Sequence, residues 1–157
     1  MNELSIDLQV ACETNHPAFE KIHYWVSEAL KTEIDEEEKE DIEVCIRIVD
    51  KEESQQLNNT YRKKNKPTNV LSFYYSDDDW DTEDIHLLGD LVICAEIVEE
   101  EAKEQNKPIE AHWAHLIIHG ILHLLEYDHQ SDEDAKKMEG LEVEILKKLG
   151  YKNPYQE

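Results

Sequence analysis

Alternating apolar and polar residues open the chain. Leu4, Ile6, Leu8 and Val10 are apolar while Ser5, Asp7 and Gln9 are polar, and this period of two predicts a half-buried strand. From Pro17 to Leu30 the apolar set changes to helical spacing (Phe19, Ile22, Val26, Ala29, Leu30), with Pro17 suited to a first helical turn. An acidic connection, Asp35 to Asp41, precedes a second alternating strand with Val44, Ile46 and Ile48 on one face. A short helix is expected from Lys51 to about Thr60, and a third strand from Val70 to Tyr75. The segment Asp77 to Asp84 holds six acids in eight residues, has no period, and reads as a solvated loop. Gly89 then introduces Leu91, Val92, Ile93 and Cys94, a continuous apolar run expected of a strand covered on both faces.

Helices take the remainder. One runs from about Ala95 to Gln105 and another from near Pro108 to near Leu125. The last starts at Ser131, which with Asp134 resembles a capping box, and stops before Gly150; its core stripe is Met138, Leu141, Ile145 and Leu149. The order β-α-β-α-β-β-α-α-α predicts an α+β fold in one domain, residues 1–157. A small mixed sheet of about four strands would carry the helices, with the last two strands forming a hairpin around the acidic loop.

Charge changes the picture of what such a domain can bind. Against 16 Lys and Arg stand 38 Asp and Glu, a formal net charge of −22, which excludes a surface that is basic all round and argues against docking on an anionic membrane. No run of residues approaches the roughly 20 apolar positions that a membrane span needs. The N-terminal MNELSIDLQV lacks the basic and apolar regions of a secretory signal. Cys12, Cys45 and Cys94 are odd in number, widely spaced and without a CxxC, as expected of reduced core thiols in the cytoplasm.

The candidate chemistry lies in the histidines. Five of the eight fall between His112 and His129: His112, His115, His119, His123 and His129. His119 and His123 are four apart on a predicted helix, about 400° of turn and about 6 Å of rise, so their imidazoles share a face and can converge on one ion. His129 would lie about 80° off that stripe if the helix continued, so the chain must leave the helix after Leu125 for it to swing back. Three neutral imidazoles suit zinc and leave its fourth position open to water, the arrangement of a catalytic site. Zinc there lowers the pKa of that water towards neutrality. His112 reads as an exposed helix residue, and His115 either supports the ligands or simply packs. The spacing H-x3-H-x5-H is shared with metzincin proteases, but their general base, a Glu directly after the first His, is Gly120 here. A base must come from elsewhere, and Asp128, beside His129, is the nearest candidate.

The stretch His119-Gly-Ile-Leu-His123-Leu-Leu-Glu-Tyr-Asp-His129 resembles the H-G-x-L-H-L-x-G-Y-D-H signature of the YbeY family of bacterial metallo-endoribonucleases. Tyr61-Arg62 leading into Pro67-Thr-Asn-Val-Leu-Ser-Phe73 is similar as well. So are Leu88-Gly-Asp-Leu-Val-Ile-Cys94, Ala111-His-Trp-Ala-His115 and Leu149-Gly-Tyr151, in the same order along nearly the whole chain. The resemblance implies a zinc-dependent, single-strand-selective RNA hydrolase acting in small-subunit rRNA 3′-end maturation and ribosome quality control. One Zn2+ would be held by His119, His123 and His129, with Arg62 the basic residue facing the site. It implies no nucleotide cofactor and no membrane; ribosomal small-subunit proteins or assembly factors are its expected company. One position departs from the signature. Glu126 stands where the family has Gly, at the helix break, and a left-handed residue there costs about 1 kcal/mol more for Glu than for Gly.

An acidic nuclease needs a local anion funnel. Arg62, Lys63, Lys64 and Lys66 place four of the sixteen cations within five positions, while the acids crowd at 33–43, 77–84 and from 96 onwards. Beside a dication held by neutral imidazoles, that loop could draw in phosphate. Arg62 would stabilise charge growing on the attacked phosphorus, and Asp128 would deprotonate the water. A non-catalytic, zinc-stabilised ribosome-assembly factor and, with Gly120 against it, a zinc peptidase are the alternatives.

Overall fold

The period-two segments pair into one sheet, and the helical segments cover it. The computed structural model describes residues 4–31, 41–74, 85–125 and 132–155. Its elements are β1 (Leu4–Ala11), α1 (Phe19–Lys31), β2 (Asp41–Val49), α2 (Lys51–Arg62), β3 (Val70–Tyr74), β4 (Ile85–Cys94), α3 (Ala95–Glu104), α4 (Ile109–Leu124) and α5 (Asp132–Lys148). The strand order is β1-β2-β4-β3. β1 and β4 both run parallel to β2, while β3 is antiparallel to β4. The mixed four-stranded sheet and the hairpin relation of the last two strands therefore agree with the patterning. Of the two acidic connections only Asp41, the first residue of β2, lies among the described residues.

β4 explains why its sequence is continuously apolar. Leu91 and Ile93 face a core shared with α1, α4 and α5, including Ile22, Trp25, Ile117, Ile121 and Met138. Val92 and Cys94 face the other way, onto a smaller cluster with Val49 and Leu71, to which Leu57 of α2 and Ile97 of α3 add. The strand begins at Ile85, earlier than Gly89, so Gly89 lies inside it rather than before it. Opposite it the register slips: Glu43 faces Leu87 and Val44 faces Gly89, leaving Leu88 as the extra residue of a bulge. Gly89 has φ +146°, and a Cβ there would lie 2.3 Å from the Phe73 carbonyl oxygen and 2.8 Å from Leu124 Cδ2. Glycine thus lets β3, β4 and the end of α4 meet.

Two apolar positions differ from the patterning. Phe19, the first residue of α1, is 43% exposed, and Val10, on edge strand β1, 45%. Trp25 of α1, absent from the expected apolar set, is buried at 2%. The thiols are free as expected, with Cys94 buried. Among the described residues no helix is long and apolar enough to cross a membrane.

Candidate metal centre

α4 is buried nearly all round, which is unusual for a helix carrying four histidines. Trp113, Ala114, Leu116, Ile117, Ile118, Gly120, Ile121, Leu122 and Leu124 are all buried. The histidines share the remaining stripe at spacings of three, four and four. Neighbouring ring centroids are 6.2 Å apart from His112 to His115, 6.1 Å from His115 to His119 and 4.5 Å from His119 to His123.

His119 and His123 do converge. Their Nε2 atoms are 3.0 Å apart, close to the roughly 3.3 Å that separates two nitrogens bound tetrahedrally to one zinc at about 2.05 Å. The reason they can do so lies on α5. His119 Nδ1 donates to Glu142 Oε1 at 2.5 Å, which puts the lone pair on Nε2, the nitrogen that faces His123. Glu142 is fully buried, and His115 Nε2 stands 3.4 Å from the same oxygen. Tyr155 donates its hydroxyl to Glu142 Oε2 at 2.6 Å. Burial pushes the Glu142 carboxyl upward, but hydrogen bonds from His115, His119 and Tyr155 outweigh it and hold it at about 2. Burial and the neighbouring carboxylate in turn push the Tyr155 hydroxyl well above its usual range.

Ligand-type atoms of His115, His119 and Glu142 also lie within 4.8 Å of one another and could hold an ion. Yet the 2.5 Å between His119 Nδ1 and Glu142 Oε1 is a hydrogen-bond length, shorter than two atoms bound to one zinc normally keep. The histidine and carboxylate donors of this stripe fit a divalent cation, and Glu142 stands behind His119, where a ligand histidine ordinarily finds its outer carboxylate.

The helix ends where the motif requires. α4 stops at Leu124, and the Leu125 amide closes it on Ile121 and Leu122. His129, Asp128 and Glu126 lie outside the described residues. Gly120 is buried, and a Cβ on it would come within 2.8 Å of Leu91 Cδ2. The position after His119 thus presses on the sheet and has no room for the carboxylate of a protease.

Arg62 ends α2, exposed, and α2 packs through Leu57 on the sheet face opposite α4. Lys63 follows as a left-handed cap (φ 61°), its amide reaching the Asn58 and Asn59 carbonyls. The basic loop is anchored from below. Asn58, 2% exposed, donates its amide to the Lys66 carbonyl at 2.9 Å. Ser54 Oγ accepts from Thr68 N at 2.9 Å and donates to Thr68 O at 2.8 Å. Elsewhere Lys21, Lys31, Arg47 and Lys51 each face a glutamate, namely Glu110, Glu28, Glu53 and Glu100. Arg62, Lys63, Lys64 and Lys66 are exposed and face no carboxylate of a described residue.

His112 corrects the sequence reading. It is buried at 3%, because its turn of α4 faces α3 rather than solvent. Its Nε2 donates to Glu101 Oε1 at 2.9 Å, and the Asn69 amide donates to the same carboxylate at 3.1 Å. Glu142 and Tyr155 were missed. Glu142 did leave a signal: Met138, Glu142 and Leu146 form one row at four-residue spacing, and a Glu inside an apolar row must have a partner. Tyr155 left none.

The family model described as endoribonuclease YbeY matches residues 9–150. Endoribonuclease YbeY of Colwellia psychrerythraea (strain 34H / ATCC BAA-681) is 53% identical over 153 residues, which cover 97% of this chain and 97% of that protein. The solution structure of TM1509 from Thermotoga maritima is similar with a TM-score of 0.58 and 26% identity, covering 97% of this chain and 99% of that one.

Proposed function

Since the chain belongs to the endoribonuclease YbeY family, we propose that it is a zinc-dependent endoribonuclease cutting single-stranded RNA, with small-subunit rRNA as its substrate. In this reading it works in the cytoplasm, in 3′-end maturation and ribosome quality control, in contact with small-subunit proteins or assembly factors. The observation that carries the metal part is the 3.0 Å approach of His119 and His123 Nε2 with Glu142 behind His119. His119, His123 and His129 would hold the ion. When bound, it supplies Lewis acidity towards a phosphate oxygen and makes an attacking water more acidic.

The chain's own groups do the rest. The anchored loop at Lys63, Lys64 and Lys66 draws the phosphate backbone into an otherwise repelling surface. Arg62 pairs two N–H donors with the phosphate oxygens as charge accumulates on them. Asp128 takes the proton of the attacking water. Gly120 against Leu91 disfavours the peptidase reading.

The test combines metal analysis with cleavage of a single-stranded RNA by purified, EDTA-treated and zinc-restored protein, with His123→Ala run beside it against contaminating nuclease. Metal-dependent cutting that is absent in His123→Ala supports the enzyme. Bound zinc with no cutting would leave the assembly factor, and no bound metal would overturn the reading. Arg62→Ala should lower turnover with zinc content unchanged.

A further inference from the structure

We propose that Glu142 and Tyr155 are positioning residues for the metal: a Tyr155–Glu142–His119 relay that makes the C-terminal segment part of the centre. The inference rests on the metal reading above and adds to it residues of α5 and of the tail, which lies past the stretch matched by the family model.

The tail is brought to the site by specific ties. Tyr151 sets its ring edge-on to Trp25 at a centroid distance of 6.5 Å and donates its hydroxyl to Glu110 Oε2 at 2.9 Å. Lys107 Nζ donates to the Pro154 carbonyl at 3.0 Å. Tyr155 N donates to Asn153 Oδ1 at 2.8 Å, turning the ring back onto His115, 5.4 Å away and nearly perpendicular. The hydroxyl then meets Glu142 Oε2, while Oε1 accepts the hydrogen bond from His119 Nδ1.

Packing alone does not call for this arrangement. The row Met138–Glu142–Leu146 would be filled more cheaply by a third apolar residue, since a fully buried carboxylate must recover its lost hydration through its partners. What the carboxylate adds is direction and basicity. It fixes His119 in the Nδ1–H tautomer, aims the Nε2 lone pair at the ion and makes that nitrogen a better donor. Tyr155 fixes the carboxylate in turn by occupying its other oxygen. His115 completes the cage: its Nε2 lies 3.3 Å from the Tyr155 hydroxyl and 3.4 Å from Glu142 Oε1.

The test measures Zn2+ affinity by competition with a chromophoric chelator, and the visible spectrum of the Co2+-loaded protein, on the full chain. Glu142→Gln, which keeps the shape and removes the charge, should weaken Zn2+ about 10–100-fold and shift the Co2+ bands. Tyr155→Phe should weaken it by a smaller factor. The double variant should bind no more weakly than Glu142→Gln alone, because the tyrosine acts through the carboxylate. Multiplying effects in the double variant, or wild-type affinity and spectrum in both single variants while His123→Ala loses the metal, would overturn the relay and leave the metal reading intact. His123→Ala binding as wild type would instead overturn the metal reading. Thermal unfolding of the metal-free variants separates a folding defect from a ligand defect, since a purely structural role moves the midpoint and not the Co2+ bands.

Discussion

Gly120 lies directly over Leu91, so close that a methyl group on its α-carbon would come within 2.8 Å of Leu91 Cδ2 and 3.1 Å of Cδ1. Leu91 is fully buried in β4, within a close-packed core. The residue beside the first histidine is therefore set by the sheet and not by the chemistry. Gly120→Glu, which would put a metzincin-type glutamate directly after His119, should destabilise the fold by several kcal/mol by driving a charge into the core. Soluble yield and thermal unfolding check this. A folded Gly120→Glu protein with the wild-type midpoint would show that position 120 does not face β4.

Gly89 is constrained twice over, by a φ of +146° and by the Phe73 carbonyl 2.3 Å from where a Cβ would stand. Gly89→Ala should cost at least about 2 kcal/mol, from backbone strain of about 1–3 kcal/mol and the displacement of β3. Urea unfolding gives the number. A loss below about 0.5 kcal/mol would mean that the bulge at Leu88 can re-form without glycine.

How much of this was legible in the sequence follows from which physical signals are local. Strand and helix periods were readable because β1, β2 and α1 each bury one face, and β4 was readable as doubly covered because both faces are. His119 and His123 were readable because four residues of helix fix their relation. His112 was misread because exposure depends on which helix packs against which turn, and nothing in Ala111-His-Trp names Glu101 as its neighbour. Glu142 sits 23 residues from His119, and Tyr155 reaches it only through the path of the tail. Contacts of that kind are set by tertiary packing, and a single sequence shows at most the polar residue left where an apolar one was due.

Asn58 holds the Lys66 carbonyl from beneath the basic loop. Asn58→Ala should cost about 1 kcal/mol, since it removes a part-buried hydrogen bond to the Lys66 carbonyl. It should also weaken single-stranded RNA binding and flatten its salt dependence while zinc content stays at the wild-type level. Binding measured across a salt series, beside metal analysis, makes the check. Unchanged RNA affinity with a loosened loop would remove the loop from the interface.

Glu101 joins three segments: it accepts from His112 of α4 and from Asn69 before β3, and belongs itself to α3. Burial pushes its carboxyl upward, but hydrogen bonds from His112 and Asn69, helped by the charges of His112 and Lys107, outweigh it and hold the group below the ordinary 4.5. A depressed folded-state value means that the unfolded chain takes up the proton first as the pH falls. The contribution is thus fully present above about pH 4.5 and is lost as the pH drops through the folded-state value. Glu101→Gln should therefore cost about 1–3 kcal/mol near pH 7, where an amide nitrogen meets the Asn69 donor and buried His112 loses a charged partner. The penalty should shrink as the pH falls from about 4.5 through the lower folded-state value, because the unfolded chain takes up the proton first and the folded wild-type carboxyl becomes neutral in its turn. Thermal unfolding of both proteins from about pH 7 to about pH 3 gives the comparison. A penalty that stays constant across that range would show that Glu101 acts by shape and hydrogen bonding alone, with no contribution from its charge.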